Sequence, residues 1–264
     1  MPSMVCASPG EPRVSTESTC VSPRENKADN GTFGEASARG FTFGDWLQPG
    51  GSTEKPAPTI GDDAAATLYL FISTALTARI ARLLGRADTA SQLDARVASI
   101  RTAFAQEFIT PSGRIAYNDQ TSYALAILHE LVPEHQVEAA RQYFKAAIHR
   151  ANGRIGTGFI GTPALLPALV KIGEPELAAE VFLQEEVPGW LYQVKRGATT
   201  IWERWDAIRA DGSVFDPAMN SYNHYAYGAV CQWLFEGVAG VAPVAEKPGF
   251  DEVTLNPLIL PALS

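Results

Sequence analysis

One ten-residue string, Gly197-Ala198-Thr199-Thr200-Ile201-Trp202-Glu203-Arg204-Trp205-Asp206, sets a single carboxylate between two indoles. Indole faces accept the apolar faces of sugar rings, and a neighbouring carboxylate can reach a hydroxyl or a water. An ionised carboxylate in that position is a general base, and Arg204 beside Glu203 could hold it ionised. The same string also fits a partly buried Trp-rich loop with a Glu–Arg ion pair.

Three further strings carry polar chemistry. Asn220-Ser221-Tyr222-Asn223-His224-Tyr225 stands just before an apolar helix. Its Asn or Ser suits a helix N-cap, while His224 suits either a structural hydrogen bond or a contact with a sugar hydroxyl. Gly44-Asp45-Trp46-Leu47 again puts a carboxylate beside an indole. Gly156-Thr157-Gly158-Phe159-Ile160-Gly161-Thr162 is glycine-rich, lacks the Lys-Ser/Thr of a phosphate loop, and reads as a tight loop capping a helix. No His, Cys, Asp or Glu group has metal-ligand spacing, and no serine sits in a nucleophile elbow, so neither a metal nor a cofactor is expected.

These strings need a scaffold, and apolar periodicity supplies helices for it. Leu68, Phe71, Ile72, Ala75, Leu76, Ile80 and Leu83 recur at three- and four-residue steps, which predicts one inward face, with Gly85 as the stop. A second helix carries Leu93, Val97, Ile100, Phe104 and Phe108. A third is expected over about 120–131 with Tyr123, Ala124, Ile127 and Leu128 inward. A fourth carries Val137, Ala140, Phe144, Ala147 and Ile148 and ends at Asn152-Gly153. Two shorter helices follow, around Leu165, Leu166 and Leu169 and around Leu177, Val181 and Phe182. Long loops are expected over 187–216, a last helix over 223–238 and a short strand at Val253-Thr254-Leu255. Short connections make neighbouring helices antiparallel, so the pattern is all-α hairpins of the (α/α) toroid kind.

Composition narrows the partners. Apolar residues at 46% and charged residues at 19% are the profile of a globular domain. The net charge of −8 comes without a Lys/Arg cluster, which disfavours nucleic acid and anionic membrane. No apolar run of about 18 residues stands out, so no membrane span is expected, and no basic-then-apolar leader opens the chain. Three cysteines, Cys6, Cys20 and Cys231, make no disulfide framework, and Cys231 reads as a small buried apolar residue. Residues 1–38 are rich in Ser, Pro, Glu, Gly and Thr and read as a disordered or unrelated leader. Its Asn30-Gly31-Thr32 sequon reads as chance.

Taken in order, six strings resemble the α-L-rhamnosidases over about residues 41–257. They are Phe43-Gly44-Asp45-Trp46-Leu47, Gln120-Thr121-Ser122-Tyr123-Ala124-Leu125-Ala126, Thr157-Gly158-Phe159-Ile160-Gly161-Thr162, the Trp-Glu-Arg-Trp string, Asn220 to Tyr225, and Pro248-Gly249-Phe250. The resemblance implies an (α/α)6 catalytic domain that removes terminal α-L-rhamnose from glycosides or polysaccharides with inversion. It implies Glu203 as general base and His224 as a rhamnose contact. Trp46 and its neighbour Asp45 would lie on the substrate side, with Trp202 and Trp205 lining the pocket.

The resemblance is incomplete. The family's general acid belongs to an acidic segment ahead of the Gly-Asp-Trp motif, and residues 1–38 contain none. The expected division is therefore a leader over 1–38, a partial six-hairpin domain over 39–241 and the start of a C-terminal β-sandwich over 242–264, a chain cut at both ends. Asp45, Asp62 and Asp63 stand in for the acid only if the chain departs from the family. Loss of the acid would forfeit its contribution of roughly 10²–10⁴-fold. Two other readings stay open: a rhamnose-recognition module without catalysis, and a different (α/α)6 sugar hydrolase.

Overall fold

The computed structural model describes residues 44–49, 60–218 and 220–261. The expectations for residues 1–38, and for Cys6, Cys20, Asn30 and Phe43, lie outside them.

Helix α1 (Asp62–Leu83) and helix α2 (Ala87–Phe108) form the first hairpin. Asp62 and Asp63 complement the positive end of α1, and the backbone N–H of Arg86 donates to the Ala81 carbonyl with Gly85 left-handed, which closes its C-terminus. The buried stripe of α1 is Ala64, Ala65, Leu68, Phe71, Thr74, Ala78 and Ala81. Leu76, Ile80 and Leu83, expected inward, are instead 53%, 47% and 46% exposed. This helix is apolar on nearly every side, so periodicity did not select a face. Leu68 and Phe71 share the buried stripe with the alanines, while Leu76, Ile80 and Leu83 turn away. With 22 residues and a mean hydropathy of 1.4, α1 is also long and apolar enough to cross a membrane by length and composition. That corrects the expectation that no such segment exists. Here Ala64, Ala65, Leu68 and Phe71 of its buried stripe belong to the main core.

Helix α3 (Gln120–Leu128) is capped by Asp119, which accepts from the Ser122 N–H at 2.9 Å and from the Ser122 hydroxyl at 2.5 Å. Residues 120–127 are all buried, so α3 is enclosed on every side. It ends earlier than the predicted residue 131. Helix α4 (Val137–Arg150) packs on it through Ala140, Phe144, Ala147 and Ile148, and the left-handed Asn152 and Gly153 end it as predicted. Val137, expected inward, is exposed. Helices α5 (Thr162–Lys171) and α6 (Pro175–Phe182) each begin with a proline in the first turn, where a missing N–H costs nothing.

A short helix α7 (Trp190–Lys195) interrupts the long loops. The predicted last helix is broken into α8 (Tyr225–Gly228), α9 (Val230–Gln232) and a π-helical turn (Trp233–Val238). Cys231 is exposed rather than buried, because Val230 and Trp233 carry the buried face of this run. The predicted strand β2 (Val253–Leu255) forms and pairs antiparallel with β1 (Val241–Pro243), for which the sequence showed no signal.

Helices α1, α3, α5 and α8 touch in succession, while α2, α4 and α6 pack each on its own partner. Three hairpins and one further inner helix thus build an arc with inner and outer layers, the incomplete (α/α)6 toroid of the sequence reading. Hydrogen bonds also link the starts of the inner helices. Tyr117, just before α3, donates to Asp63 in the first turn of α1 at 2.9 Å, and Asp45 joins the first turn of α3 to the residues opening α5. The inner helices therefore present their N-terminal ends at one mouth.

Candidate active site

Four loop segments meet at that mouth. The first is residues 44–49, a strap with little secondary structure of its own. Asp45 in it is 3% exposed, and both its oxygens are occupied. One carboxylate oxygen accepts from the Gly158 N–H at 2.7 Å and from the Thr121 hydroxyl. The other accepts from the Ile160 N–H at 2.9 Å and the Gly161 N–H at 3.0 Å. Burial pushes this carboxyl above its usual range, and the four donors pull it back. Asp45, placed with the substrate-binding residues by resemblance, thus has every contact with the protein.

The glycine loop, residues 156–161, is shaped to receive the strap. The Trp46 carbonyl accepts from the Phe159 N–H at 2.9 Å, and the Gln48 side-chain amide donates to the Gly156 carbonyl at 2.6 Å. A Cβ on Gly158 would overlap the carbonyls of Asp45 and Trp46, and one on Gly161 would overlap the Thr121 side chain. Gly158→Ala is accordingly expected to cost roughly 1–3 kcal/mol, because the obstacle is backbone on both sides. Urea unfolding of the variant measures it; an unchanged midpoint would mean that the strap gives way freely.

The third and fourth segments pair with each other. Glu203 donates its N–H to the Ser221 carbonyl at 2.8 Å, and the Ser221 N–H donates to Glu203 Oε2 at 2.9 Å. One turn of chain further, the His224 N–H donates to the Ile201 carbonyl at 2.8 Å. These bonds bring Glu203 and His224 onto adjacent strands of loop and fix one carboxylate oxygen. Oε1 has no protein partner among the described residues, which leaves it for a water or a hydroxyl.

His224 also caps α8. Its Nδ1 accepts from the Ala226 N–H at 3.3 Å, so that nitrogen carries no proton. With Nδ1 in that accepting role, Nε2 is the ring nitrogen left to donate. Phe159 and Tyr225 flank the ring at centroid distances of 4.9 and 5.2 Å.

Arg204 does not serve Glu203 as expected. Its Nε donates to Asp206 at 3.3 Å and its guanidinium lies 3.6 Å from the centre of the Phe215 ring. With Asp206 and Phe215 engaging its guanidinium, Arg204 is turned from its neighbour in sequence. Trp202 and Trp205 are each 3% exposed. Trp202 packs with Tyr192 and Ala207 and meets the edge of Tyr222, while Trp205 stacks on Tyr227 at 4.0 Å and stands edge-on to Trp190 at 5.2 Å. Both indoles are thus packed against protein on either side of Glu203 in the sequence. Trp46 is half-buried, on the strap beside Phe159.

Sequence reasoning passed over four residues that the geometry brings in. They are Thr121, Phe159, Ser221 and Tyr227, whose hydroxyl donates to the Leu47 carbonyl at 2.7 Å. Phe159 carried a signal, as the one aromatic side chain in a glycine loop. Thr121 and Ser221 had none beyond membership of a quoted string, and Tyr227 had none at all.

Comparison with known proteins agrees with this arrangement. Residues 20–238 match the model of the bacterial alpha-L-rhamnosidase 6 hairpin glycosidase domain, a match that begins inside the stretch set apart above as a leader. An alpha-L-rhamnosidase of Streptomyces avermitilis is 38% identical over 215 residues, which cover 81% of this chain and 20% of that protein. Its crystal structure, complexed with L-rhamnose, superposes with a TM-score of 0.76 at 35% identity, over 83% of this chain and 20% of that one. The native enzyme of Aspergillus terreus superposes with a TM-score of 0.79 at 34% identity, over 84% and 26%. The chain thus spans about a fifth to a quarter of the relatives it matches. With the family model covering most of its length and the inner and outer helices in their alternating order, this chain belongs to the bacterial alpha-L-rhamnosidase six-hairpin glycosidase family.

Proposed function

We propose that this chain carries the base half of an α-L-rhamnosidase site, acting on terminal α-L-rhamnose of glycosides or polysaccharides with inversion. The observation that carries the proposal is the Glu203–Ser221 pairing, which fixes one carboxylate oxygen and leaves the other without a partner among the described residues, beside the segment of His224. Glu203 takes a proton from a water that attacks the anomeric carbon on the face opposite the leaving group. His224 donates from Nε2 to a sugar hydroxyl, and Trp46 with Phe159 covers an apolar sugar face.

Inversion needs a second carboxyl group, roughly 6.5–9.5 Å from the first, to protonate the leaving oxygen. The carboxylates of the strap and of the α1 and α3 starts are poor choices. Asp45 is closed off by four donors, Asp119 is spent on capping, and Asp63 accepts from Tyr117 and from the Ala64 N–H. The acid is therefore to be sought beyond these three carboxylates.

Proton NMR of the sugar freed from an aryl α-L-rhamnoside tests the proposal. β-L-Rhamnose is expected as the first anomer. The α-anomer appearing first overturns inversion. L-Rhamnose binding with no hydrolysis, even in a longer chain that carries the acid, selects a recognition module instead.

A further inference from the structure

We propose that Asp45 is a positioning residue, a clasp that sets Trp46, Phe159 and His224 as one sugar-facing unit without itself touching the sugar. The inference rests on the rhamnosidase reading of the mouth.

The argument starts from what the carboxylate joins. Its four donors come from two places far apart in sequence, Thr121 at the start of α3 and the backbone of residues 158–161. Both fix the strap, and the strap carries the consequences in two directions. Through the bond between the Trp46 carbonyl and the Phe159 N–H, the clasp sets Phe159, whose ring lies 4.9 Å from His224 and edge-on to Tyr227 at 5.2 Å. Through the Leu47 carbonyl it sets Tyr227, which stacks on Trp205 two residues beyond Glu203. A buried carboxylate would be costly to keep for packing alone, and this one is retained with each oxygen doubly satisfied.

The residue type follows from the donors. All four groups present a hydrogen, two to each oxygen, so the site needs two acceptors and no donor. Asparagine would turn an NH₂ toward one pair of donors whichever way the amide is flipped. Glutamate is longer by one methylene in a site with no room.

The test uses the 264-residue chain and its four histidines, of which His135 and His149 are exposed and serve as internal references. Asp45→Asn is expected to move the imidazole NMR signals of His224 and leave those of His135 and His149 in place. It is also expected to weaken L-rhamnose binding, read by calorimetry, at least about tenfold. Thr121→Val, which removes one donor of four, should move both readouts less and in the same direction. If Asp45→Asn does not fold, Thr121→Val decides alone, with unchanged far-ultraviolet circular dichroism as its control. His224 signals that stay fixed overturn the clasp, and so does unchanged rhamnose affinity when those signals do move. If the wild-type chain binds no L-rhamnose, the rhamnose reading of this chain fails, and the His224 signals by themselves settle whether Asp45 positions them.

Discussion

Glu203→Gln is expected to remove most turnover of an aryl α-L-rhamnoside, by roughly 10²–10⁴-fold in kcat, in a chain that also supplies the general acid. The amide keeps the size of the side chain and still accepts from the Ser221 N–H, so the loop holds its place. It loses the basicity that draws a proton from the attacking water. A better leaving group should not restore the rate, since leaving-group ability substitutes for the acid and leaves the water unactivated. Azide should restore it in part, because it attacks without being deprotonated, and the product is then β-L-rhamnosyl azide. His224→Ala makes the contrast. It removes a donor to the sugar, worth roughly tenfold in binding at about 1.4 kcal/mol, and gains nothing from azide. Near-normal turnover by Glu203→Gln would move the base to another carboxylate, with Asp206 first in line.

The second large effect is on stability. Phe144→Ala should cost about 3–5 kcal/mol. Phe144 is completely buried where α4 meets α3, with its ring 6.2 Å from that of Tyr123. Tyr123 is itself fully buried and tied to the Asn118 side chain at 2.8 Å, so it cannot swing into the space left by the ring. The cavity stays open, which puts the cost toward the upper part of that range. Urea denaturation gives the value. A loss below about 1 kcal/mol would mean that α4 slides to fill the gap and that the two layers are softer than described.

Where the sequence was readable, and where it was not, has a physical pattern. The apolar stripes of α2 and α4 were legible at Ile100, Phe104, Phe144 and Ile148, because each of these outer helices has a wet side to contrast with its dry one. For α1 and α3 that contrast is absent. In α1 alanines with Leu68 and Phe71 are buried while Leu76 and Ile80 face outward, and in α3 there is no outward side at all. Turn positions fared well, since Gly85, Gly153 and Gly173 have left-handed backbones that glycine adopts without strain. The π-helical turn, which breaks the last helix, and β1, which waits on β2 for a partner, leave no local trace.

The site shows the same division. Glu203 and His224 were singled out from residue type and neighbours, and they do lie on paired loops. The assignment of Arg204 to Glu203 failed because adjacency along a loop says nothing of side-chain direction. The burial of Trp202 and Trp205 was invisible for a related reason. An indole next to a carboxylate in sequence carries no sign of how deeply it packs, which here depends on Tyr192 and Tyr227.

The bonds that complete the mouth are also its most distant in sequence. The Asp45–Gly158 link spans 113 residues and the Leu47–Tyr227 link spans 180, whereas each helical hairpin is assembled from neighbours in sequence. Loop closure over such spans has to wait for the pieces between to be in place. These spans predict an order of folding in which hairpins form first, layers next and the strap last. By the same logic the strap is the first part to open under mild denaturant, so binding fails while most of the helix remains. A loss of function in this family can thus be a loss of closure, with the helical scaffold still standing.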